Sequence, residues 1–374
     1  MVKIVSILSA ALFATLANAA TVYTGDILSG HKVISNLDVT DIPANAVTKL
    51  WLRVTKDVVG QSYHVPIIVA RGPTDGNRLL LNSALHGEEL NGIRVVQRFF
   101  ADIDVSKLKG VVVGVPGSNI NGMYEGQRYY LNKYDSGSLT NLNREFPGNI
   151  TNRAAGKKFA ATLWSGIYGN NNYTAGVDYH TQSLTTQFPN FVYADLRVPY
   201  VYRMTELTGA DIIKVDTGES AVGSLEIVLD QFGIPAITYE LGAPKRWQKD
   251  QIQRGYDFAF RLMTDLNMYP ATTDTEKIAT YEAQKKKSYY GNEFVSTYST
   301  QGGYVELYTK VNDRVTKDQL VGRLFNVWGD KVEDYYPKFD GVILSIGDNP
   351  LHEPGAQIVE TIHNSTDPAC FNGC

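Results

Sequence analysis

Cysteine is almost missing from this chain. Of 374 residues two are cysteine, Cys370 and Cys374, both at the extreme C-terminus. The core therefore does not depend on disulfides. In an oxidising compartment the two could close a very short loop on each other; otherwise they are two tail thiols. Excess charge of either sign is also lacking. Thirty-five Lys and Arg against 39 Asp and Glu leave a net charge of -4. With no basic stripe, nucleic acid is excluded as an expected partner. Past the N-terminus no stretch is apolar enough to span a bilayer. There is no repeat of 20–50 residues and no low-complexity tract.

What is present starts at the first residues. Lys3 gives a short positive start, Ile4 to Leu16 is mostly apolar, and Ala17-Asn18-Ala19 fits a small-x-small cleavage site. This order reads as a secretory signal peptide over residues 1–19, too short in its apolar run to be a membrane anchor. The expectation is a secreted, soluble protein that does not engage a membrane. Three sequons, at Asn149, Asn172 and Asn364, agree with export and mark candidate glycosylation sites. About 350 residues remain, enough for one large domain and a small one.

Strand and helix patterns alternate through the larger part. Lys49 to Val54, His64 to Ala70, Arg78 to Leu85 and the apolar run Gly110 to Pro116 read as strands. Ile93, Val96 and Phe100 recur at helical spacing, so a helix is expected from about Asn91. A polar loop rich in Asn and Tyr, without regular structure, is expected from Gly117 to Gly148. Then come a helix over about Ala154 to Trp164, a strand reaching His180, a helix over Gly223 to Phe232, a strand over Pro235 to Tyr239 and a helix over Gln248 to Leu266. Such alternation implies an α/β domain with a mixed, largely parallel sheet flanked by helices. Past Pro270 the character changes to a polar linker or solvated helix. Short strands and Gly/Asn/Asp turns follow, which predict a small all-β C-terminal domain. The expected divisions are a catalytic domain over 20–275, a linker over 276–287, a β domain over 288–362 and a tail over 363–374.

Four short motifs carry the chemistry. They are His86-Gly87-Glu88-Glu89, Asn143-Arg144-Glu145-Phe146-Pro147-Gly148, Asp178-Tyr179-His180 and Thr238-Tyr239-Glu240-Leu241-Gly242. His86, His180 and Glu240 each stand at the C-terminal end of a predicted strand, the edge at which ligand sites of open α/β sheets gather. His86, Glu89 and His180 supply two imidazoles and a carboxylate, a ligand set that leaves zinc one open position. Asp178, two residues before His180 on the same strand face, can orient it. Arg144 offers a planar fork for a substrate carboxylate, with Asn143 as helper. Glu240 is a second carboxylate, suited to move protons. Each has an ordinary reading: a histidine bonded for structure, a buried His–Asp pair, a loop arginine in solvent, a strand-end charge. The remaining histidines, His31, His64, His352 and His363, sit in no such pattern.

These motifs, in this order and spacing, resemble the succinylglutamate desuccinylase/aspartoacylase family of the zinc metallocarboxypeptidase superfamily. The likeness runs from about Tyr63 to Ile362 and includes Val65-Pro66 and Arg71-Gly72-Pro73 ahead of the strand into His86. It implies a zinc-carboxypeptidase-like fold with His86, Glu89 and His180 on one zinc ion. Arg144 with Asn143 would hold the substrate carboxylate, and Glu240 would be the catalytic carboxylate. Arg128 would be the second arginine, adding positive charge to the polarised carbonyl oxygen. Relatives usually carry Asp where this chain has Asn141, so a negative charge is lost and the local hydrogen bonding is left open. The loop from Tyr129 to Thr140 is longer than in compact members. The C-terminal domain resembles a biotinyl/lipoyl carrier fold through Val311 to Val315 and Phe339 to Ile343. Lys331 falls near the carrier lysine position, but the acidic or Met-flanked modification sequence is missing.

The expected function is a secreted zinc-dependent hydrolase. It would cleave the amide of an N-acyl amino acid or a similar small carboxylate, with esters chemically possible. The rivals are a metallocarboxypeptidase acting on peptide C-termini and a non-catalytic binding protein that keeps the fold. Retention of Glu240 and all three ligand residues argues against the last.

Overall fold

Period-two burial organises the molecule. In the strand Thr74–Ser83, Leu80 enters one apolar cluster while Leu79 and Leu81 enter another. Val113 and Val112 of Lys109–Pro116 divide in the same way. These strands are thus buried on both faces, as parallel strands between helices must be. The computed structural model describes residues 20–133, 137–183 and 186–374. The expected signal peptide lies outside the described residues.

An eleven-stranded sheet forms the large domain. At its centre Lys109–Pro116, Thr74–Ser83, Ala175–His180 and Ala236–Leu241 run parallel, in that spatial order. Antiparallel pairing joins Ser62–Arg71 on one side and Asn190–Ala194 on the other. The helix Asn91–Asp102 lays Val95, Val96 and Phe99 on one face, beside Phe258 and Leu262 of the helix Lys249–Asp265. Phe159, Leu163, Leu225 and Val228, from two further helices, cover the other face. Each such side chain contributes about 1.5–3 kcal/mol by leaving water.

The stretch 117–148 is more ordered than its composition suggests. A short helix, Ile120–Tyr124, is capped by the Asn119 side chain, which accepts from Gly122 N. Tyr130–Asn132 pairs with Ser138–Thr140, and the Asn121 side chain bonds both backbone groups of Leu131. The asparagines that read as loop composition act as local caps and bridges. The helix expected from Gly223 begins at Leu225, because Gly223 has a φ of 83° and Ser224 is extended.

Beyond the exposed helix Thr275–Lys285 lie two antiparallel sheets of short strands. The two domains exchange edges. Tyr289–Gly291 pairs with Ile212–Val215 in the large sheet, and Thr186–Gln187 pairs with Gly341–Gly347 in a C-terminal one. Lys214 joins them as well. It is buried, and its Nζ donates to the carbonyls of Val215, Asn292 and Cys374. Cys370 and Cys374 are bridged, which keeps that tail compact. Lys331 is exposed and bonds Asp334 on its own strand.

The connection into the Glu240 strand contains a titrating group. Asp230 Oδ1 accepts from Ala236 N at 2.8 Å, while Oδ2 is buried without a partner. Burial pushes this carboxyl up to about 8, with Asp195 adding to the shift. Between the usual carboxylate range and pH 8 the folded state holds a proton that the unfolded state has released. Stability drawn from this group therefore falls as pH rises through that window. Asp230→Asn keeps the acceptor and removes the titration. Its melting temperature relative to wild type should rise from pH 5 to pH 8; a constant offset would contradict the assignment.

Candidate active site

The site is built on register. His180 pairs with Glu240 and Asp178 with Thr238 on adjacent parallel strands. Alternate residues share a face, so all four side chains gather at one patch by the C-terminal sheet edge. The neighbouring strand ends at Ser83, and Ala84, at a φ of 56°, turns the chain toward His86. Gly87 then passes so close to the backbone of Gly122 and Met123 that a Cβ would collide with it. The helix starting at Asn91 follows at once, which brings Glu89 back over His86.

Glu89 is the most enclosed member. Its Oε1 lies 2.8 Å from His86 Nδ1 and 2.6 Å from Arg128 Nη1. Its Oε2 lies 2.8 Å from His180 Nδ1 and accepts from Thr181 N at 2.9 Å. Burial works to raise its pKa, but the two imidazoles hold it well below the usual carboxylate range. His86 is shifted down, chiefly by burial. For His180 burial acts downward too, yet Asp178 and Glu89 together carry it well above its ordinary value.

The outer ring nitrogens are already committed. His180 Nε2 meets Asp178 Oδ2 at 2.8 Å, and His86 Nε2 meets Asn141 Oδ1 at 3.0 Å. Both acceptors favour the tautomer with the proton on Nε2. The two Nδ1 lone pairs and the Glu89 carboxylate are then left facing one another, the donor atoms all within 4.8 Å. Atoms at that spacing need positive charge among them, either the proton that the raised pKa of His180 supplies or a metal ion. His86, Glu89 and His180 could thus hold a metal ion, with Asp178 and Asn141 behind the rings. Asn141 also accepts from Asn143 N. An amide oxygen meets both contacts, so the missing carboxylate leaves no broken bond.

Asn143 and Arg144 are placed by a helix start. Asn143 Oδ1 accepts from Leu225 N, and Phe146 N donates to Gly223 O. Because Asp178 takes the His180 proton, the Asn143 Nδ2 donors remain available to a ligand. Arg144 donates to its neighbour's carbonyl and, among the described residues, has no acidic partner within ion-pair distance. Burial lowers its pKa somewhat, with Arg128 adding. Arg128 lines the same cavity with its guanidinium turned to Glu89. Burial pushes Glu240 up to about 8; His180 opposes the shift and Glu89 adds to it. Its Oε2 has no partner among the described residues.

All these groups except Glu89, Asp178 and Asn141 line one cavity of about 170 Å³. The cavity also takes in Gln182, Tyr193, Asp216, Ser224, Glu226 and Thr238, which the sequence reading did not single out. Thr238 had a signal, two residues before Glu240 on a strand. The others reach the site through tertiary packing. Tyr193 packs on Phe294 of the C-terminal domain, which thus supports one wall residue from behind.

A model of the succinylglutamate desuccinylase/aspartoacylase catalytic domain matches residues 75–266. The chain belongs to this family. A comparison with curated proteins gave no match. Among solved structures, a product-bound ectoine utilization protein EutE (DoeB) from Ruegeria pomeroyi superposes with a TM-score of 0.70 at 18% identity, covering 87% of this chain and 98% of that one. A succinylglutamate desuccinylase/aspartoacylase from Rhodobacter sphaeroides gives 0.68 at 16%, with the same coverage. An aspartoacylase family protein from Mesorhizobium loti gives 0.65 at 15%, covering 93% and 100%. The desuccinylase/aspartoacylase fold thus spans both domains, and the chain is a hydrolase of the deacylase type.

One glycine carries the Arg144 side of the site. At Gly223 a Cβ would collide with the Arg144 carbonyl, on a backbone of positive φ. Gly223→Ala should cost about 2 kcal/mol or more in thermal or denaturant unfolding. A neutral substitution would show that this contact does not fix Arg144.

Proposed function

We propose that this protein is a secreted zinc-dependent hydrolase that cleaves the amide of a small N-acyl amino acid. One observation carries the proposal: the donor atoms of His86, Glu89 and His180 converge beside an unpartnered carboxylate, Glu240, and an unpaired arginine, Arg144. Two imidazoles and a carboxylate with an open side suit zinc. Zinc in such a site supplies Lewis-acid polarisation of the acyl carbonyl and makes water acidic near neutral pH.

The chain's own groups divide the remaining work. Arg144 grips the substrate carboxylate with its planar fork, aided by the Asn143 amide donors. This fixes the scissile amide beside Glu240. The positive charge of a metal ion held by His86, Glu89 and His180 would draw Glu240 down from its raised value. Glu240 Oε2 then takes a proton from the attacking water and returns it to the leaving nitrogen. Arg128 stays charged against Glu89 and adds positive potential on the acyl-oxygen side. Asp178 and Asn141 keep the imidazoles in one tautomer.

The small cavity and the flanking C-terminal domain favour small substrates over peptides. Export rests on the N-terminal sequence and is consistent with the bridged cysteines and the exposed sequon asparagines Asn149, Asn172 and Asn364.

Metal analysis of the purified protein should find about one zinc per chain, lost in His86→Ala and His180→Ala. Screening N-acyl amino acids against short peptides tests the substrate class; cleavage of peptides alone would favour the carboxypeptidase alternative. Glu240→Gln should keep its zinc and lose roughly 10²–10⁴-fold in turnover. Normal turnover with normal zinc would remove Glu240 from the mechanism. Arg144→Lys keeps charge and loses the fork. It should impair free-acid substrates far more than amide-capped ones, and equal losses would sink the clamp.

A further inference from the structure

The cavity is also lined by polar side chains that the proposed chemistry does not use. One is Glu226, 6% exposed, at the start of the helix Leu225–Gln231. Thr238 Oγ1 donates to Glu226 Oε2 at 2.8 Å. Among the described residues no cation comes within ion-pair distance of Glu226. Beside it, Ser224 Oγ is buried and has no hydrogen-bond partner among the described residues. Asp216 adds a second carboxylate to the lining; its Oδ1 accepts from Gly218 N and its nearest cation is Lys214 at 3.9 Å.

A buried acid and a buried hydroxyl without full complements imply a ligand that brings donors. This lining is poor for other side chains. Asp216 repels a carboxylate, burial disfavours a second negative charge beside Glu226, and an aliphatic chain would leave Ser224 and Glu226 unanswered. Arg144 and Glu226 are also tied together, since Gly223 packs against the Arg144 carbonyl and Leu225 N donates to the Asn143 side-chain Oδ1. The site therefore offers an unpaired guanidinium and an unpaired carboxyl group at a fixed separation.

We propose that Glu226, with Ser224 and Asp216, forms a subsite for a side-chain ammonium group, so that the amino acid released is a basic one of ornithine or lysine type. Its α-carboxylate rests on Arg144 and its terminal ammonium donates to Glu226 and Ser224. This rests on the reading of the site as an N-acyl amino acid hydrolase.

The test compares Nα-acetyl derivatives of L-ornithine, L-lysine, L-norleucine and L-glutamate as substrates. It is run in parallel with calorimetric binding of the four free amino acids, which needs no turnover. The expected result is a kcat/KM for ornithine or lysine at least roughly 10²-fold above that for glutamate, and the same order in binding. In Glu226→Gln the ratio of the basic substrates to norleucine should fall by roughly 10-fold or more. Glutamate used or bound as well as ornithine overturns the subsite. So does an equal loss on every substrate in Glu226→Gln, because Glu226 would then merely support Arg144. Ordered binding without hydrolysis of any derivative would leave the subsite standing and reject the hydrolase reading instead.

Discussion

Everything at the site turns on a carboxylate taken fully out of water. An ionised Glu89 at 1% exposure is tenable only if its four lone-pair directions are answered. Four groups surround it: the Arg128 guanidinium and the Thr181 N–H donate to it directly, and the two imidazole Nδ1 atoms answer it through a proton or a metal ion held between them. They come from separate segments, so satisfying one buried charge gathers a strand end, a helix entry and a loop. The electrostatic demand of Glu89 and the concentration of metal-donor atoms are the same fact seen from two sides.

The sheet makes that demand affordable. Parallel pairing sets His180 against Glu240, and Asp178 against Asn82 and Thr238. A shift by one residue would turn these side chains to the opposite face. Apolar clusters on both faces resist such a slip. A second anchor is the start of the helix Leu225–Gln231. Its Leu225 N–H binds the Asn143 side-chain Oδ1, the Gly223 carbonyl just ahead of it accepts from Phe146 N, and Glu226 sits on its first turn. Substrate grip and the Glu226 carboxyl are thereby placed by one local geometry. The C-terminal domain enters through exchanged edge strands and, through Phe294, packs behind the wall residue Tyr193, so it is joined to the large domain and not an appendage.

Much of this was legible in the residue order. The alternation of patterns gives an α/β domain followed by short β strands, because burial on one or both faces imposes its own period. His86, His180 and Glu240 could be placed together because each closes a strand, and strands of a parallel sheet end at one edge. Asp178 followed from a spacing of two. The Asn-rich stretch 117–148 was harder. Asparagine signals a turn by composition, and only the folded chain shows Asn119 and Asn121 capping a helix and bridging to Leu131.

The sequence by itself determined which side chains could carry chemistry and which strand ends would present them. Tertiary structure decided which of their atoms meet. It turned Arg128 onto Glu89, let Asn141 serve where relatives use a carboxylate, and left Glu226 and Ser224 in the same cavity lining as Arg144 without a cation. The reason is physical: periodicity fixes the face on which a residue lies, a local property. Its partners depend on contacts between segments separated by tens of residues, such as Gly223 on Arg144, for which no local spacing exists.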